Sequence, residues 1–239
     1  MLDIQARMRA AGDPTKAQHS LRFFKTGPGQ YGEGDHFLGL TVPQTRAYVA
    51  ECQELSQEQV VELLHSEWHE ERLLALFLLV KRFPKDRQGI YDLYLSHIAR
   101  CINNWDLVDS SAPGIVGAFL VKQSDRSILG RLARSSNLWE RRAAVIATQT
   151  LIRAGQFRDT LELCELLLQD REDLMHKACG WMLREVGKRD LPTLLAFLQK
   201  WAGSMPRTML RYSLERLDRD QRRFFLDARS AGSLHFEKH

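Results

Sequence analysis

Apolar side chains recur along almost the whole chain with the spacing of an α-helix. Between Glu71 and Phe83 they occupy positions 73, 74 and 76–80, which is dense enough for a buried helix. In Leu191–Leu198 they recur at i, i+3, i+4 and i+7, the pattern of an amphipathic helix. Alternating runs of Val, Ile, Thr and Tyr, which indicate strands, are absent from the sequence. The pattern therefore predicts an all-α protein.

Helix-capping and helix-breaking residues interrupt this pattern and divide the chain into roughly fourteen short helices. In Asp190-Leu191-Pro192, for example, an N-capping carboxylate precedes a proline at the helix start. The helices group into hairpins that repeat about every 30–36 residues. The predicted hairpins cover about 69–101, 105–134, 137–168, 171–200 and 206–229. This period predicts an α-solenoid of degenerate HEAT-like hairpins, continuous as a single domain over residues 1–239.

The composition is that of a globular protein, with 44% hydrophobic and 27% charged residues among 239. No run approaches the roughly 18 consecutive apolar residues of a membrane span, and the N-terminus lacks the apolar stretch of a secretory signal. The four cysteines are scattered and form no CxxC pair. We therefore expect a cytoplasmic protein with free buried thiols and with neither a disulfide scaffold nor a metal site.

Charge is distributed unevenly along the chain. Residues 1–120 carry 12 Lys and Arg against 15 Asp and Glu, whereas residues 121–239 carry 22 against 15. A basic second half is a weak indication of a polyanionic partner such as nucleic acid. On a solenoid these cations could line a concave basic groove, and the alternative is an ordinary solvated basic surface.

The segment from Asn103 to Pro113 combines groups with chemical potential. An asparagine can cap the helix, and Trp105 and Asp109, four residues apart, share one of its faces. Pro113 has no N–H to donate to the carbonyl of Asp109, so the helix is expected to kink or loosen there. A carboxylate and an indole then lie at one distorted turn. The alternative is an aspartate that caps the next hairpin and a tryptophan that packs between repeats.

Two polar stripes in the second half are candidates for nucleic-acid contact. The first has spacings of 4, 3 and 4 and consists of Lys177, Trp181, Arg184 and Lys188. The second consists of Arg142, Gln149 and Arg153. An aromatic side chain among cations suits contact with a nucleic-acid backbone and its sugars. The alternative is that Trp181 packs on the neighbouring repeat beneath the aliphatic stems of the cations.

Two other features give little support to further chemistry. The Gly-rich stretch Thr26–Asp35 is followed by no GK[ST] and preceded by no strand, so we interpret it as an inter-helix loop rather than a phosphate loop. Contact of this loop with a ligand or a DNA backbone is the alternative. His65 and His69 are four residues apart but do not form HExxH, which favours surface histidines over a zinc site.

Three motifs, in this order, resemble the AlkD-type DNA alkylation repair family. They are Asn104-Trp105-Asp106-Leu107-Val108-Asp109, Asn137-Leu138-Trp139-Glu140-Arg141-Arg142-Ala143-Ala144 and Lys177-Ala178-Cys179-Gly180-Trp181-Met182-Leu183-Arg184-Glu185. Phe37-Leu38-Gly39-Leu40, with Pro43 and Arg46, is similar to that family's N-terminal signature. The resemblance covers roughly residues 15–200. The Gly-rich stretch looks longer than in the best-known members, and Thr41 stands where they often have a longer polar residue.

The resemblance implies a HEAT-like solenoid that wraps duplex DNA in a basic groove. It further implies a monofunctional glycosylase that releases N3- and N7-alkylated purines. By motif match, Trp105 and Trp181 would be the cleft indoles, Asp109 the catalytic carboxylate and Arg142 a phosphate contact. From the stripes we add four DNA-binding cations: Arg153, Lys177, Arg184 and Lys188. We expect a monomer that needs no cofactor. The alternative is a non-catalytic HEAT-repeat scaffold that binds a DNA structure or a protein.

Overall fold

Helices account for the secondary structure of residues 3–227, which are the residues that the computed structural model describes. Within that range the β pairing consists of one isolated bridge between His36 and Trp68. The predicted all-α class is therefore confirmed, and the helices are consistent with an α-solenoid of helical hairpins. The last two residues of the predicted hairpin 206–229 lie outside the described residues.

The chain divides into two compact units, Met1–Phe119 and Leu120–His239. The helices of the first unit are α1 (Asp3–Ala10), α2 (Pro14–Phe23), α3 (Val42–Ala47), α4 (Gln57–Leu64), α5 (His69–Arg82), α6 (Arg87–His97) and α7 (Trp105–Ser111). A 3₁₀ turn, Tyr48–Ala50, follows α3, and a π-helical turn, Pro113–Gly117, follows α7. The short α8 (Ala118–Leu120) comes next along the chain. Helix α5 packs against α3, α4 and α7, which makes it the centre of this unit.

The second unit continues the succession of hairpins. Its helices are α9 (Ser127–Ala133), α10 (Leu138–Arg153), α11 (Arg158–Leu166), α12 (Asp173–Arg189), α13 (Leu191–Trp201), α14 (Arg207–Ser213) and α15 (Arg219–Asp227). Helix α10 packs against α9, α11 and α12, and α12 packs in turn against α13 and α14. None of the helices in the described part of the chain is long and apolar enough to cross a membrane.

Local capping explains several of the helix boundaries. The Asp190 carboxylate accepts a hydrogen bond of 3.0 Å from the backbone N–H of Thr193, and Pro192 lies in the first turn, as the sequence predicts. At the start of α4, Ser56 and Gln59 form a reciprocal capping box. Each such cap is worth about 1 kcal/mol, and together they fix where successive helices begin.

The predicted buried helix is confirmed as α5. Its apolar residues from Leu73 to Leu79 are at most 5% exposed. The four residues that precede them, His69, Glu70, Glu71 and Arg72, are buried as well, although all four are ionisable. Burial of such side chains is unfavourable unless each finds a partner, so the first turn of α5 must organise the segments around it.

Candidate functional site

Helix α7 presents the predicted tryptophan–carboxylate pair. Asn104 caps the helix, and its Oδ1 accepts a hydrogen bond of 2.9 Å from the backbone N–H of Trp105. Trp105 and Asp109 are both partly exposed, while Leu107 and Val108 between them are fully buried. Because residues four apart on a helix share a face, the indole and the carboxylate are neighbours on the accessible side of α7. Asp109 is thus not sealed in the interior.

The helix is distorted directly after Asp109, as the proline predicts. Pro113 begins the π-helical turn, in which the backbone N–H of Gly117 donates to the carbonyl of Ala112 at 2.9 Å, five residues back. Proline supplies no N–H for an ordinary helical bond, and the wider turn accommodates that loss. The carboxylate of Asp109 therefore lies on the last regular turn before a local irregularity.

Two adjacent phenylalanines at the end of α2 contact Trp105. The ring of Phe24 stacks on the indole at a centroid distance of 5.3 Å and an interplanar angle of 18°. Phe23 meets the indole edge-on at 5.9 Å and remains 57% exposed. Sequence reasoning missed both residues because they lie about 80 positions from Trp105. The only local signal is two consecutive aromatic residues just before the Gly-rich stretch.

A buried histidine lies beneath this aromatic cluster. The imidazole of His69 is held between two carboxylates, with Nδ1 2.9 Å from Asp35 and Nε2 2.8 Å from Asp106. Only 2% of His69 is exposed, so the prediction of a surface histidine is wrong at this position, whereas His65 is exposed as predicted. Asp35, the last residue of the Gly-rich stretch, is itself buried and bonded to Arg72. The end of this stretch is therefore anchored in the core.

The electrostatics favour a charged imidazolium at this position. Burial lowers the pKa of His69, but the adjacent charge and hydrogen bond of Asp106, together with Asp35, more than offset this and raise it to about 9. Burial raises the pKa of Asp35, but hydrogen bonds and charges from His69 and Arg72 outweigh it and lower the value to about 2. At neutral pH the cluster therefore holds a protonated ring beside an ionised Asp35.

Glu70 explains the Phe37-Leu38-Gly39-Leu40 motif. Its carboxylate accepts hydrogen bonds from the backbone N–H groups of Leu38, Gly39 and Leu40 at 2.9, 2.8 and 3.1 Å. Gly39 has a φ of +81°, and a Cβ there would lie 2.1 Å from the carbonyl oxygen of Asp13. Only glycine fits this approach, so the motif is a strap held by a buried carboxylate.

Glu71 connects the same turn to α1. It accepts hydrogen bonds from Gln5 and Arg9, each at 2.8 Å, and from the hydroxyl of Ser66 at 2.6 Å. Glu71 is fully buried, whereas Arg9 is partly exposed. The signal for this hub in the sequence is the run of four ionisable residues at the start of an otherwise apolar helix.

A cavity of about 490 Å³ adjoins the cluster within the first unit. Phe24, Phe37, His69 and Asp106 line it, and Lys16 on α2 lies at its wall. Its volume is within the range of small-molecule sites. Phe24, which stacks on Trp105, thus also borders this open space.

In the second unit, Trp181 lies on α12 and is partly exposed. Its indole N–H donates a hydrogen bond of 3.1 Å to Glu185, a residue that sequence reasoning did not single out. Burial raises the pKa of Glu185, but the hydrogen bond and charge of Lys188, 2.7 Å away, lower it overall. The carboxylate therefore fixes the indole edge and pairs with one of the predicted DNA-binding cations.

The two other cations of this stripe are also ion-paired. Lys177 lies 2.8 Å from Asp173, and Arg184 pairs with Glu215 of the following segment. Exposed pairs of this kind contribute about 0–1 kcal/mol, so a phosphate group could displace the carboxylate at little cost. The pairing reduces the net charge that α12 presents without preventing contact with a polyanion.

Arg142 and Arg153, both on α10, differ in their environment. Arg142 is only 4% exposed, and its Nη1 donates a hydrogen bond of 2.6 Å to the carbonyl of Leu174, which joins α10 to α12. Arg153 at the end of α10 is exposed. Phosphate contact by either residue stays a prediction.

The predicted site residues belong to different units. Trp105 and Asp109 lie in the first, and Arg142, Arg153, Lys177, Trp181, Arg184 and Lys188 lie in the second. Among residues 3–227, no three His, Cys, Asp or Glu side chains are arranged to hold a metal ion.

Comparison with known proteins identifies the family. No protein of curated function matches the chain. A solved structure described as a predicted DNA alkylation repair enzyme from Enterococcus faecalis is similar in fold, with a TM-score of 0.71 and 15% identity. The match covers 87% of this chain and 97% of that one. A family model described as DNA alkylation repair enzyme matches residues 4–217. The chain therefore belongs to the family of DNA alkylation repair enzymes.

Proposed function

We propose that this protein is a DNA glycosylase that hydrolyses the N-glycosidic bond of cationic N3- and N7-alkylated purines in duplex DNA. Membership of a DNA alkylation repair family supports a role in repair. The observation that carries the specific chemistry is the pair of partly exposed side chains on one face of α7, the Trp105 indole and the Asp109 carboxylate. One carboxylate suffices for this reaction because the alkylated base already carries a positive charge and needs no acid to protonate it.

Alkylation at N3 or N7 makes the purine a good leaving group. The base carries a positive charge before the bond breaks and departs neutral, so no general acid is needed. The positive charge moves to the deoxyribose, which becomes oxocarbenium-like. A fixed anion beside that sugar stabilises the transition state more than the ground state, and the Asp109 carboxylate supplies it. The same carboxylate orients the attacking water, whose oxygen bonds to C1′ of the sugar as the bond to the base breaks and whose proton passes to the carboxylate or to solvent.

This mechanism predicts selectivity for charged lesions. Glycosidases that act on neutral sugars usually employ two carboxyl groups, one of them an acid that protonates the leaving group. An unmodified purine must be protonated before it can leave as a neutral base, and the ionised Asp109 carboxylate cannot donate that proton. The Trp105 indole holds the cationic nucleotide through its π face, a contact worth about 0.5–2 kcal/mol, and Trp181 of the second unit is proposed as a further indole that contacts the DNA.

The cations of the second unit bind the DNA backbone in this proposal. They are Arg142, Arg153, Lys177, Arg184 and Lys188. Backbone contacts of this kind position the duplex without reading its sequence. The reaction consumes only water and needs no cofactor. We propose that the protein acts as a monomer in the cytoplasm.

The test is direct measurement of the freed base. Wild-type protein is incubated with methylated duplex DNA, and free 3-methyladenine and 7-methylguanine are quantified by chromatography. Asp109→Asn is expected to lower the release rate by about 10²–10³-fold, the usual effect of removing one transition-state electrostatic contact. DNA affinity is expected to stay within about twofold, because the carboxylate makes no favourable contact with phosphate.

Asp92→Asn is the matched control, since Asp92 is an exposed carboxylate of the same unit that contacts Gln88 on its own helix. This variant is expected to release base at the wild-type rate. Equal turnover by Asp109→Asn and wild type would remove Asp109 from the mechanism. DNA binding with no release of either base would favour the non-catalytic scaffold.

A further inference from the structure

Four aromatic rings are in contact in the first unit and connect the buried histidine to the partly exposed Trp105. His69, Phe37 and Phe24 pack against one another, with centroid distances of 4.6 Å for His69–Phe37, 4.8 Å for Phe37–Phe24 and 5.1 Å for Phe24–His69, and Phe24 stacks in turn on Trp105 at 5.3 Å and 18°. The imidazole is 2% exposed, and Trp105 at the other end is partly exposed. Displacement of the first ring is therefore transmitted to the last through packed contacts.

A second connection joins the same two residues through the backbone. Asp106, bonded to Nε2 of His69 at 2.8 Å, is the immediate neighbour of Trp105 in the first turn of α7. On the other side of the ring, Asp35 accepts a hydrogen bond of 3.1 Å from the side chain of Asn104, the N-cap of α7. Of the two residues that flank Trp105, Asp106 therefore carries one of the carboxylates that His69 bridges, and Asn104 is bonded to the other, Asp35.

This arrangement makes a specific demand on the ring. Each ring nitrogen faces a carboxylate, which when ionised can only accept a hydrogen bond, so both nitrogens must donate. A neutral side chain of similar size can satisfy one carboxylate and leaves the other buried without its donor. Arg72 still serves Asp35, so loss of the histidine affects the Asp106 end most directly.

We propose that His69 is a positioning residue that fixes the orientation of the Trp105 indole and of the first turn of α7 for base release. This inference rests on the proposed function, because Trp105 is taken there as a contact of the alkylated nucleotide. The side chain of His69 acts through Phe37, Phe24 and Asp106 and does not itself touch the DNA.

The structural half of this inference is tested by NMR on the full chain labelled with ¹⁵N-tryptophan. Trp105→Phe assigns the indole N–H resonance of Trp105. His69→Gln is expected to shift and broaden that resonance, because the contacts of the His69 ring with Phe37 and Phe24 and its bond to Asp106 are lost, while the Trp181 resonance in the other unit stays in place. Glu71→Gln is the matched control, since it disturbs the same turn of α5 toward α1 and is expected to leave the Trp105 resonance unmoved.

The functional half is a single-turnover measurement on DNA containing 7-methylguanine. His69→Gln is expected to lower the rate of base release about 10- to 100-fold with an unchanged Kd for DNA, because misplacement of a contact by about 1 Å has effects of this size. Glu71→Gln is expected to release base at the wild-type rate once folded. If His69→Gln does not fold, Phe24→Leu interrupts the stack without burying an unpaired charge and carries the same expectation.

The outcomes separate the two claims. If His69→Gln releases base at the wild-type rate, the positioning role is overturned and the glycosylase proposal stays intact. Where His69→Gln does not fold, the same conclusion follows if Phe24→Leu releases base at the wild-type rate. An unmoved Trp105 resonance in the variant tested overturns it as well. If wild type releases no base, the proposed function fails, and the NMR comparison still decides whether His69 fixes the indole.

Discussion

At the scale of single residues, the first turn of α5 shows how a protein buries four ionisable side chains in succession. His69, Glu70, Glu71 and Arg72 are each at most 5% exposed. Each has a hydrogen-bonding partner outside α5, with His69 and Arg72 sharing Asp35, so the desolvation cost is offset by charge-assisted hydrogen bonds. Periodicity alone treats such residues as solvent-facing, because their partners lie in segments that are distant in the sequence. The prediction of a surface His69 rested on the missing zinc motif, and no local pattern indicated its partners Asp35 and Asp106 instead.

Glu70 provides a stability test at this scale. Glu70→Ala leaves three buried backbone N–H groups without their acceptor, and we expect it to lower the free energy of unfolding by about 3–5 kcal/mol. Chemical denaturation measures the loss. Glu62→Ala, at an exposed position of α4, is the control and should change stability by less than about 0.5 kcal/mol. Coincident unfolding curves for Glu70→Ala and wild type would show that the hydrogen bonds from Leu38, Gly39 and Leu40 to Glu70 do not stabilise the fold.

The pKa of His69 predicts how stability depends on pH. The folded-state pKa of about 9 lies above the ordinary 6.5, so this contribution is complete below pH 6.5 and is lost as the pH rises through 9. The gap corresponds to about 3 kcal/mol. For Asp35, whose pKa is lowered to about 2, the contribution is present above pH 3.8 and is lost as the pH falls toward 2.

The measurement is the free energy of unfolding at pH 6.5 and at pH 9. We expect a decrease in wild type and a much smaller decrease in His69→Gln, because Asp35, Asp106 and Arg72 no longer face a titrating ring. A decrease of the same size in both proteins would show that another group is responsible.

At the scale of helices, the features that depend on neighbouring residues could be predicted and those that depend on distant ones could not. The Asp190 cap at the start of α13 and the distortion at Pro113 both follow from local chemistry, and the structure contains them. The stack of Phe24 on Trp105 depends on how α2 meets α7, which no local pattern encodes. The candidate site was therefore predicted as far as α7 itself but not as far as the elements behind it.

The contact of α12 with α14 gives a prediction at this scale. A Cβ at Gly180 would lie 2.5 Å from the carbonyl oxygen of Met209 and 2.6 Å from the Cβ of Tyr212. Gly180→Ala is therefore expected to lower the free energy of unfolding by about 1–3 kcal/mol, since neither contact can yield easily.

Gly130→Ala on α9 is the matched control for Gly180→Ala. The new Cβ would meet only the mobile end of the Arg134 side chain, so it is expected to gain up to about 1 kcal/mol from helix propensity. A stabilising effect of Gly180→Ala would mean that the two helices are not so close.

At the scale of the whole molecule, the charge asymmetry acquires a meaning from the family. The second half of the chain carries 22 basic against 15 acidic residues, and the chain belongs to a DNA alkylation repair family. Carboxylates of the protein itself neutralise part of this positive charge, because Lys177, Arg184 and Lys188 are ion-paired. The sequence contains the excess of cations and the helical spacing of Lys177 with Asp173 and of Lys188 with Glu185. It could not predict that Arg184 pairs with Glu215, because that carboxylate lies in a distant segment and meets Arg184 only on folding.

The salt dependence of DNA binding measures how many Lys and Arg side chains of the protein displace counterions from the DNA phosphates. Arg153→Ala, at an exposed position, is expected to weaken binding to any duplex and to reduce the slope of log K against log [salt] by about 1. Fluorescence anisotropy at several salt concentrations measures the slope. Lys85→Ala, which removes an exposed cation of the first unit that is not among the predicted contacts, is the control. An unchanged slope in Arg153→Ala would remove that residue from the DNA interface.

The central claim is that the Asp109 carboxylate alone, without a general acid, is enough to promote cleavage of the glycosidic bond to a base that already carries a positive charge. The most direct measurement uses a duplex with one 7-methylguanine and follows the free base and the abasic strand over time with wild-type and Asp109→Asn protein. We expect wild type to form both products in equal amounts and to leave an unmodified duplex intact, and we expect the variant to form almost none. Equal product formation by the two proteins, or release of unmodified guanine by wild type, would contradict the account.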